Sequence, residues 1–268
     1  MKKQKFKQFV ERNRWLRFVP TSLTLGNSLC GFAAILYTLR AYAGRDLDIR
    51  IFAVSAWVIL CAMIFDALDG FAARIFNAAS MHGVQMDSLA DMVTFGVAPA
   101  TLVAIFAHKL RGALLPNQEF IIYLLCSVYL GGAALRLATY NVHVIQGKKE
   151  SANFSGLPSP GAAAAVCSVV MLAQSERIPE DVIAFWLPIY AAILGLLMVS
   201  PFEYFHFAKW LQTAFRNRKR LFAVAALVVL VALFRTAAFA ALITLYVLGN
   251  PLYDIASRLF GKDKADPA

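Results

Sequence analysis

Ile51-Phe-Ala-Val-Ser-Ala-Trp-Val-Ile-Leu60-Cys-Ala-Met-Ile-Phe-Asp66-Ala-Leu-Asp69-Gly70-Phe-Ala-Ala73-Arg74 is long and apolar enough to cross a bilayer, yet it carries two aspartates. A second pair follows in Gly83-Val-Gln-Met-Asp87-Ser-Leu-Ala-Asp91, at the head of another apolar run. Together the two segments read D-x2-D-G-x2-A-R-x8-G-x3-D-x3-D. Lipid is a poor solvent for a carboxylate, so an ionisable residue in a spanning segment is a functional-site candidate by default. Four of them at helical spacing need something positive between them.

Outward from that stretch, the composition says the same. The 268 residues are 60% hydrophobic and 16% charged, with mean hydropathy +0.62. Soluble domains are nearer 45–50% apolar and about 25% charged. The expected fold class is an all-α integral membrane protein, because a chain in lipid must satisfy its backbone within helices or a closed barrel. The net charge of +10 sits in loops and tails, which fits an anionic membrane surface rather than a nucleic-acid partner. Cys30, Cys61, Cys126 and Cys167 are scattered within apolar runs without metal-ligand spacing, and they read as small buried hydrophobes.

Residues 1–18 start with a basic amphipathic segment in which Lys2, Lys3, Lys5, Lys7, Arg12, Arg14 and Arg17 interleave with Phe6, Phe9, Val10, Trp15 and Leu16. This predicts a helix lying on the membrane surface. Apolar spans are expected at 22–42, 51–74, 88–108, 120–140, 158–174, 182–200, 221–234 and 236–252. The last two are short and could be one tilted helix, which leaves seven or eight spans. Pro158 and Pro160 suit the first turn of the fifth. The segments divide into 1–18, a core over 20–200, and a basic loop with C-terminal helices over 201–268. Lys and Arg are denser in the segments that would lie inside if the N-terminus does. The site is therefore expected at the cytoplasmic face, in a bacterial inner membrane.

On a helix, Asp66 and Asp69 share one face, as do Asp87 and Asp91. Gly70, Ala73 and Gly83 flank them with almost no side chain, leaving room for a close helix approach or a ligand. A short turn near 76–82 would fold the two helices back so that all four carboxylates converge. Arg74 and Arg136 are too few to neutralise four acids by ion pairing. Divalent cations would do so, since hard cations take oxygen ligands and two of them can clamp a phosphoryl displacement. Arg74 would suit a phosphate.

At every fixed position the stretch Asp66 to Asp91 resembles the signature of the CDP-alcohol phosphotransferases. These are membrane enzymes that move a phosphatidyl or related group from a CDP-linked donor to an alcohol and release CMP. The resemblance implies a six-helix core around two divalent cations, Mg²⁺ or Mn²⁺, with two extra C-terminal helices in this chain. It implies Asp66, Asp69 and Asp87 as metal ligands, Asp91 as general base with a possible metal contact, and Asn27, Gly70, Ala73, Arg74 and Gly83 at the CDP donor. It also implies a homodimer.

Leu23-Thr-Leu-Gly-Asn27-Ser-Leu-Cys-Gly31-Phe, Asp87-Ser-Leu-Ala-Asp91-Met-Val-Thr-Phe-Gly96-Val-Ala-Pro99 and Phe154-Ser-Gly-Leu-Pro-Ser159-Pro160 are similar to the phosphatidylserine synthase branch. That likeness implies CDP-diacylglycerol and L-serine as substrates. Thr139 stands where the branch usually has a second arginine. Arg136, late in an apolar span, suits a carboxylate-bearing acceptor or a snorkelling position. With Asn141 and Ser159 it forms the candidate acceptor set. The loop 153–159 could close over the acceptor or simply connect spans. His82, His108, His143 and His206 lack ligand spacing and read as surface residues. Two alternatives stand beside serine transfer: the same chemistry on glycerol-3-phosphate, inositol phosphate or choline, and an ion-coupled transporter.

Overall fold

The computed structural model describes residues 18–44, 48–75, 81–112, 116–145, 154–174, 178–204, 236 and 238–254. Helices α1 (Phe18–Ala43) and α2 (Ile49–Ile75) lead into α3 (Met81–Asp91). A π-helical turn, Met92–Val97, joins α3 to α4 (Ala98–Arg111) without a break in the helix. Then come α5 (Pro116–Ile145), α6 (Ser159–Ala173), α7 (Glu180–Val199) and α8 (238–254). Among the described residues, five helical stretches are long and apolar enough to cross a membrane, and α6 is a shorter apolar helix. The protein is an all-α integral membrane protein. The expected surface helix of 1–18 and the span 221–234 lie outside the described residues, apart from Phe18, which opens α1.

Six helices pack around one interior. α1 lies along α2, α5 along α7, and α6 fills the space between α2 and α7. Phe52, Ile59, Phe95, Leu102, Phe106, Leu187 and Leu194 are fully buried there. Leu25, Leu29, Phe32, Trp57, Ile64, Phe120, Trp186 and Leu196 face outward. Such apolar exteriors fit lipid, where association relies on close packing and interhelical hydrogen bonds rather than on expelling water. Both devices are present. The Thr38 and Ser55 hydroxyls lie 2.7 Å apart between α1 and α2, and both reach the Ala34 carbonyl. Gly132 and Gly195 bring α5 onto α7 so closely that a Cβ on Gly195 would stand 2.6 Å from Tyr129 Cα.

Three expectations need correction. The third spanning helix starts at Met81, seven residues before the apolar run at 88. Hydropathy marks only the lipid-facing part, whereas the helix continues through polar residues to satisfy its own backbone. Residues 81 and 82 of the turn expected near 76–82 are therefore helical, and 76–80 lie outside the described residues. Cys61 is exposed on the outer face of α2, while Cys126 and Cys167 are buried and Cys30 is half-buried; a thiol is apolar enough to face lipid. His82 and His143 are exposed as expected, but His108 is half-buried, with Nδ1 3.3 Å from a Glu119 carboxylate oxygen. His206 is outside the described residues.

The loop before α6 has a definite seat. Phe154–Ser155 pairs antiparallel with Glu203–Tyr204, beyond the end of α7. The Gly156 N–H donates to the Phe202 carbonyl (2.9 Å) and the Leu157 N–H to the Leu197 carbonyl (3.0 Å). Gly156 has φ +88°, and a Cβ there would run into the Met198 carbonyl, so the turn needs glycine. Pro158 and Pro160 then open α6, as their fixed φ predicts.

Candidate active site

The site gathers between the C-terminal part of α2 and the N-terminal part of the continuous helix Met81–Arg111. Asp66, Asp69 and Asp87 each offer a carboxylate oxygen, and these oxygens all lie within 4.8 Å of one another. Asp69 is buried and the other two are half-buried. Asp69 Oδ2 and Asp87 Oδ1 are buried without a hydrogen-bond partner among the described residues. Buried polar atoms are normally paired, so two orphaned carboxylate oxygens in one cluster mark a place for a cation. Three hard oxygen donors suit Mg²⁺ or Mn²⁺.

Asp91 stands beside this cluster rather than in it. Its Oδ1 accepts a hydrogen bond from Asn27 Nδ2 at 3.1 Å, and it shares the electrostatic environment of Asp66, Asp87 and Asp69. Asn27 is wholly buried on α1. Its backbone carbonyl accepts from the Thr94 hydroxyl at 3.0 Å. The resemblance put Asn27 at the donor; in the structure its amide is turned to Asp91.

The π-helical turn has a local cause. Pro99 has no N–H to give the Phe95 carbonyl, and its ring would crowd that oxygen in a regular helix. The chain widens instead, with the Ala98 N–H bonded to the Val93 carbonyl five residues back. The freed Phe95 carbonyl accepts from the Tyr129 hydroxyl at 2.8 Å. Such turns are frequent at functional sites, and this one follows Asp91 directly. Thr94 and Tyr129 are supports that the sequence reading missed. A proline eight residues after an aspartate, inside a span, was the available signal.

Gly70 is exposed, and a Cβ there would meet no atom within 4 Å, so space is open beside the carboxylates. Ala73 and Gly83 are half-buried on the flanking turns. The side chain of Arg74 lies outside the described residues.

Arg136 and Ser159 come together. Arg136 Nη1 donates to Ser159 Oγ at 2.9 Å, and Ser159 is fully buried at the start of α6. The guanidinium also lies in the field of Asp91 and Asp66. It therefore lies on the side of the bundle that holds the acids. Asn141 does not join the pair: its Oδ1 lies 2.9 Å from Ser88 Oγ, on α3 next to Asp87. Thr139 is exposed, with its hydroxyl on the Leu135 carbonyl.

A family model described as CDP-alcohol phosphatidyltransferase matches residues 17–197. The chain is 29% identical over 196 residues to a CDP-diacylglycerol–serine O-phosphatidyltransferase of Helicobacter pylori, covering 72% of this chain and 74% of that one. It is 32% identical over 197 residues to the Bacillus subtilis protein of the same name, covering 72% and 93%. It is 31% identical over 188 residues to an archaetidylserine synthase of Methanothermobacter thermautotrophicus, covering 69% of each.

Proposed function

The chain belongs to the CDP-alcohol phosphatidyltransferase family, and from that premise we propose that it transfers the phosphatidyl group of CDP-diacylglycerol to the hydroxyl of L-serine, releasing CMP. The observation that carries the reaction class is the meeting of Asp66, Asp69 and Asp87 within 4.8 Å, with Asp91 alongside on Asn27. The acceptor is read from relatives in bacteria and yeast named for serine O-phosphatidyl transfer and from an archaeal one named archaetidylserine synthase.

Asp66, Asp69 and Asp87 would hold the divalent cations. Bound there, the cations would offset the negative charge that builds on the phosphate during transfer. Asp91 takes the proton of the serine hydroxyl as the serine oxygen–phosphorus bond forms and the bond from phosphorus to the CMP oxygen breaks. A serine hydroxyl is a weak nucleophile at neutral pH, so a positioned base is required. Asn27 fixes the rotation of that base. Arg136, anchored by Ser159, receives the serine carboxylate in a bidentate pair. The open side at Gly70 admits the CDP end of the donor, with Ala73, Arg74 and Gly83 along the same wall. The excess of Lys and Arg in alternate connections supports a cytoplasmic site and N-terminus, and the family likeness supports pairing of two copies.

An ion-conducting path would need acids spread through the depth of the bundle, whereas these four gather at one end. The test is CMP release by purified protein given CDP-diacylglycerol, Mg²⁺ or Mn²⁺, and a panel of alcohols. Release with serine alone is expected. Release with glycerol-3-phosphate and not serine contradicts the acceptor, and none with any alcohol contradicts the reaction class.

A further inference from the structure

Helix α8 lies beyond the stretch 17–197 covered by the family model, yet it is docked on the catalytic bundle. Ala240 and Val247 are buried. The Tyr204 hydroxyl donates to the Val247 carbonyl at 3.1 Å, and Tyr190 of α7 faces Thr244. These ties, on either side of Tyr246, set the rotation of α8 about its axis.

Tyr246 then meets the acceptor side of the site from two directions. Its Cε1 stands 3.4 Å from where a Cβ on Gly161 would lie, in the first turn of α6, two residues after Ser159. Its ring centroid is 5.9 Å from that of Tyr204, which belongs to the strand pair that seats the loop before α6. Its phenol and the Arg136 guanidinium are close enough to interact electrostatically.

We propose that α8 completes the acceptor subsite, and that Tyr246 is a positioning residue that acts with Ser159 to hold the Arg136 guanidinium in the plane that receives the acceptor's carboxylate. This rests on the reading of Arg136 as the carboxylate partner. A guanidinium presents its N–H groups in a flat, rigid fork. It pairs with both oxygens of a carboxylate only when its plane is fixed. Ser159 holds one nitrogen. The Tyr246 phenol, packed against Gly161 and within electrostatic reach of the guanidinium, adds a further restraint, so that order is in place before the acceptor arrives. Family members share the CDP end of the reaction and differ in the alcohol. An element outside their shared stretch, lying against the acceptor side, is where such a difference can be built.

Tyr246→Phe removes the hydroxyl and keeps the ring against Gly161 and Tyr204. In the purified full chain with CDP-diacylglycerol and Mn²⁺, its KM for serine should rise about fivefold, the size of one hydrogen-bond-class contact. The KM for the donor and the thermal midpoint should hold. Tyr246→Leu, which loses the ring as well, should raise the serine KM further. A serine KM unchanged in Tyr246→Phe overturns the proposal, and so does a parallel rise in both KM values, which marks general loosening. If the unsubstituted protein releases no CMP with serine, the acceptor reading fails and takes this proposal with it, a result visible before any variant is made.

Discussion

Asp91 differs from its three neighbours in the company it keeps. Its carboxylate accepts the buried Asn27 amide, whereas Asp66, Asp69 and Asp87 turn oxygens toward one another. A base must keep its oxygen aimed at the hydroxyl it deprotonates, and a metal ligand must keep it aimed at the cation. The proposed roles follow that division. Asp91→Asn keeps the shape and removes the basic oxygen. CMP release should fall by about 10²- to 10⁴-fold, while binding of Mn²⁺ and of a CDP donor, followed by calorimetry, persists. Asp87→Asn should weaken Mn²⁺ binding itself. Loss of metal binding in Asp91→Asn would move that residue among the ligands. Asn27→Leu should lower kcat by about tenfold through misdirection of Asp91, the usual scale for an orienting partner, with Mn²⁺ affinity retained.

At the scale of the element, the turn after Asp91 and the α5–α7 contact carry the geometry. Tyr129→Phe strips the Phe95 carbonyl of its donor. That should lower stability by about 1–3 kcal/mol, read as an earlier unfolding midpoint in detergent. Gly195→Val forces α7 off Tyr129 and should cost about 1–3 kcal/mol by overpacking. An unchanged midpoint in either variant would show that the helices shift freely there. These elements also mark how far the sequence could be read. The i, i+3 and i, i+4 aspartates were legible because helical phase alone puts them on common faces. The spans were legible because lipid demands long apolar helices. The π-helical turn was not, since a change of one residue in a turn leaves hydropathy untouched and only Pro99 hinted at it. The Phe154–Tyr204 pairing was hidden too, because a strand of two residues has no period. Asn141 shows a subtler limit. Its position near Arg136 in sequence suggested a shared role, but five residues along a helix turn its side chain to another neighbour, Ser88.

On the scale of the molecule, alternation of helix direction gathers the site at one end. The N-terminal parts of α1, of the continuous helix Met81–Arg111 and of α6, with the C-terminal parts of α2 and α5, supply Asn27, Asp87, Asp91, Ser159, Asp66, Asp69 and Arg136. At the opposite end, Lys109 Nζ donates to the Gly44 carbonyl at 2.6 Å, tying the α1–α2 connection to α4. If the site end faces the cytoplasm, Gly112→Cys in a background without Cys30, Cys61, Cys126 and Cys167 should react with a membrane-impermeant maleimide from outside intact cells. Labelling only after permeabilisation would reverse the orientation. The proposed reaction has two parts, divalent cations held by the carboxylate cluster and transfer of a phosphatidyl group onto serine. The most direct measurement follows labelled serine into lipid by the purified protein with CDP-diacylglycerol, before and after chelation of divalent cations. Labelled phosphatidylserine formed in step with CMP, abolished by chelation and restored by Mg²⁺ or Mn²⁺, is the predicted result. Transfer that survives chelation, or CMP release without label in lipid, would contradict it.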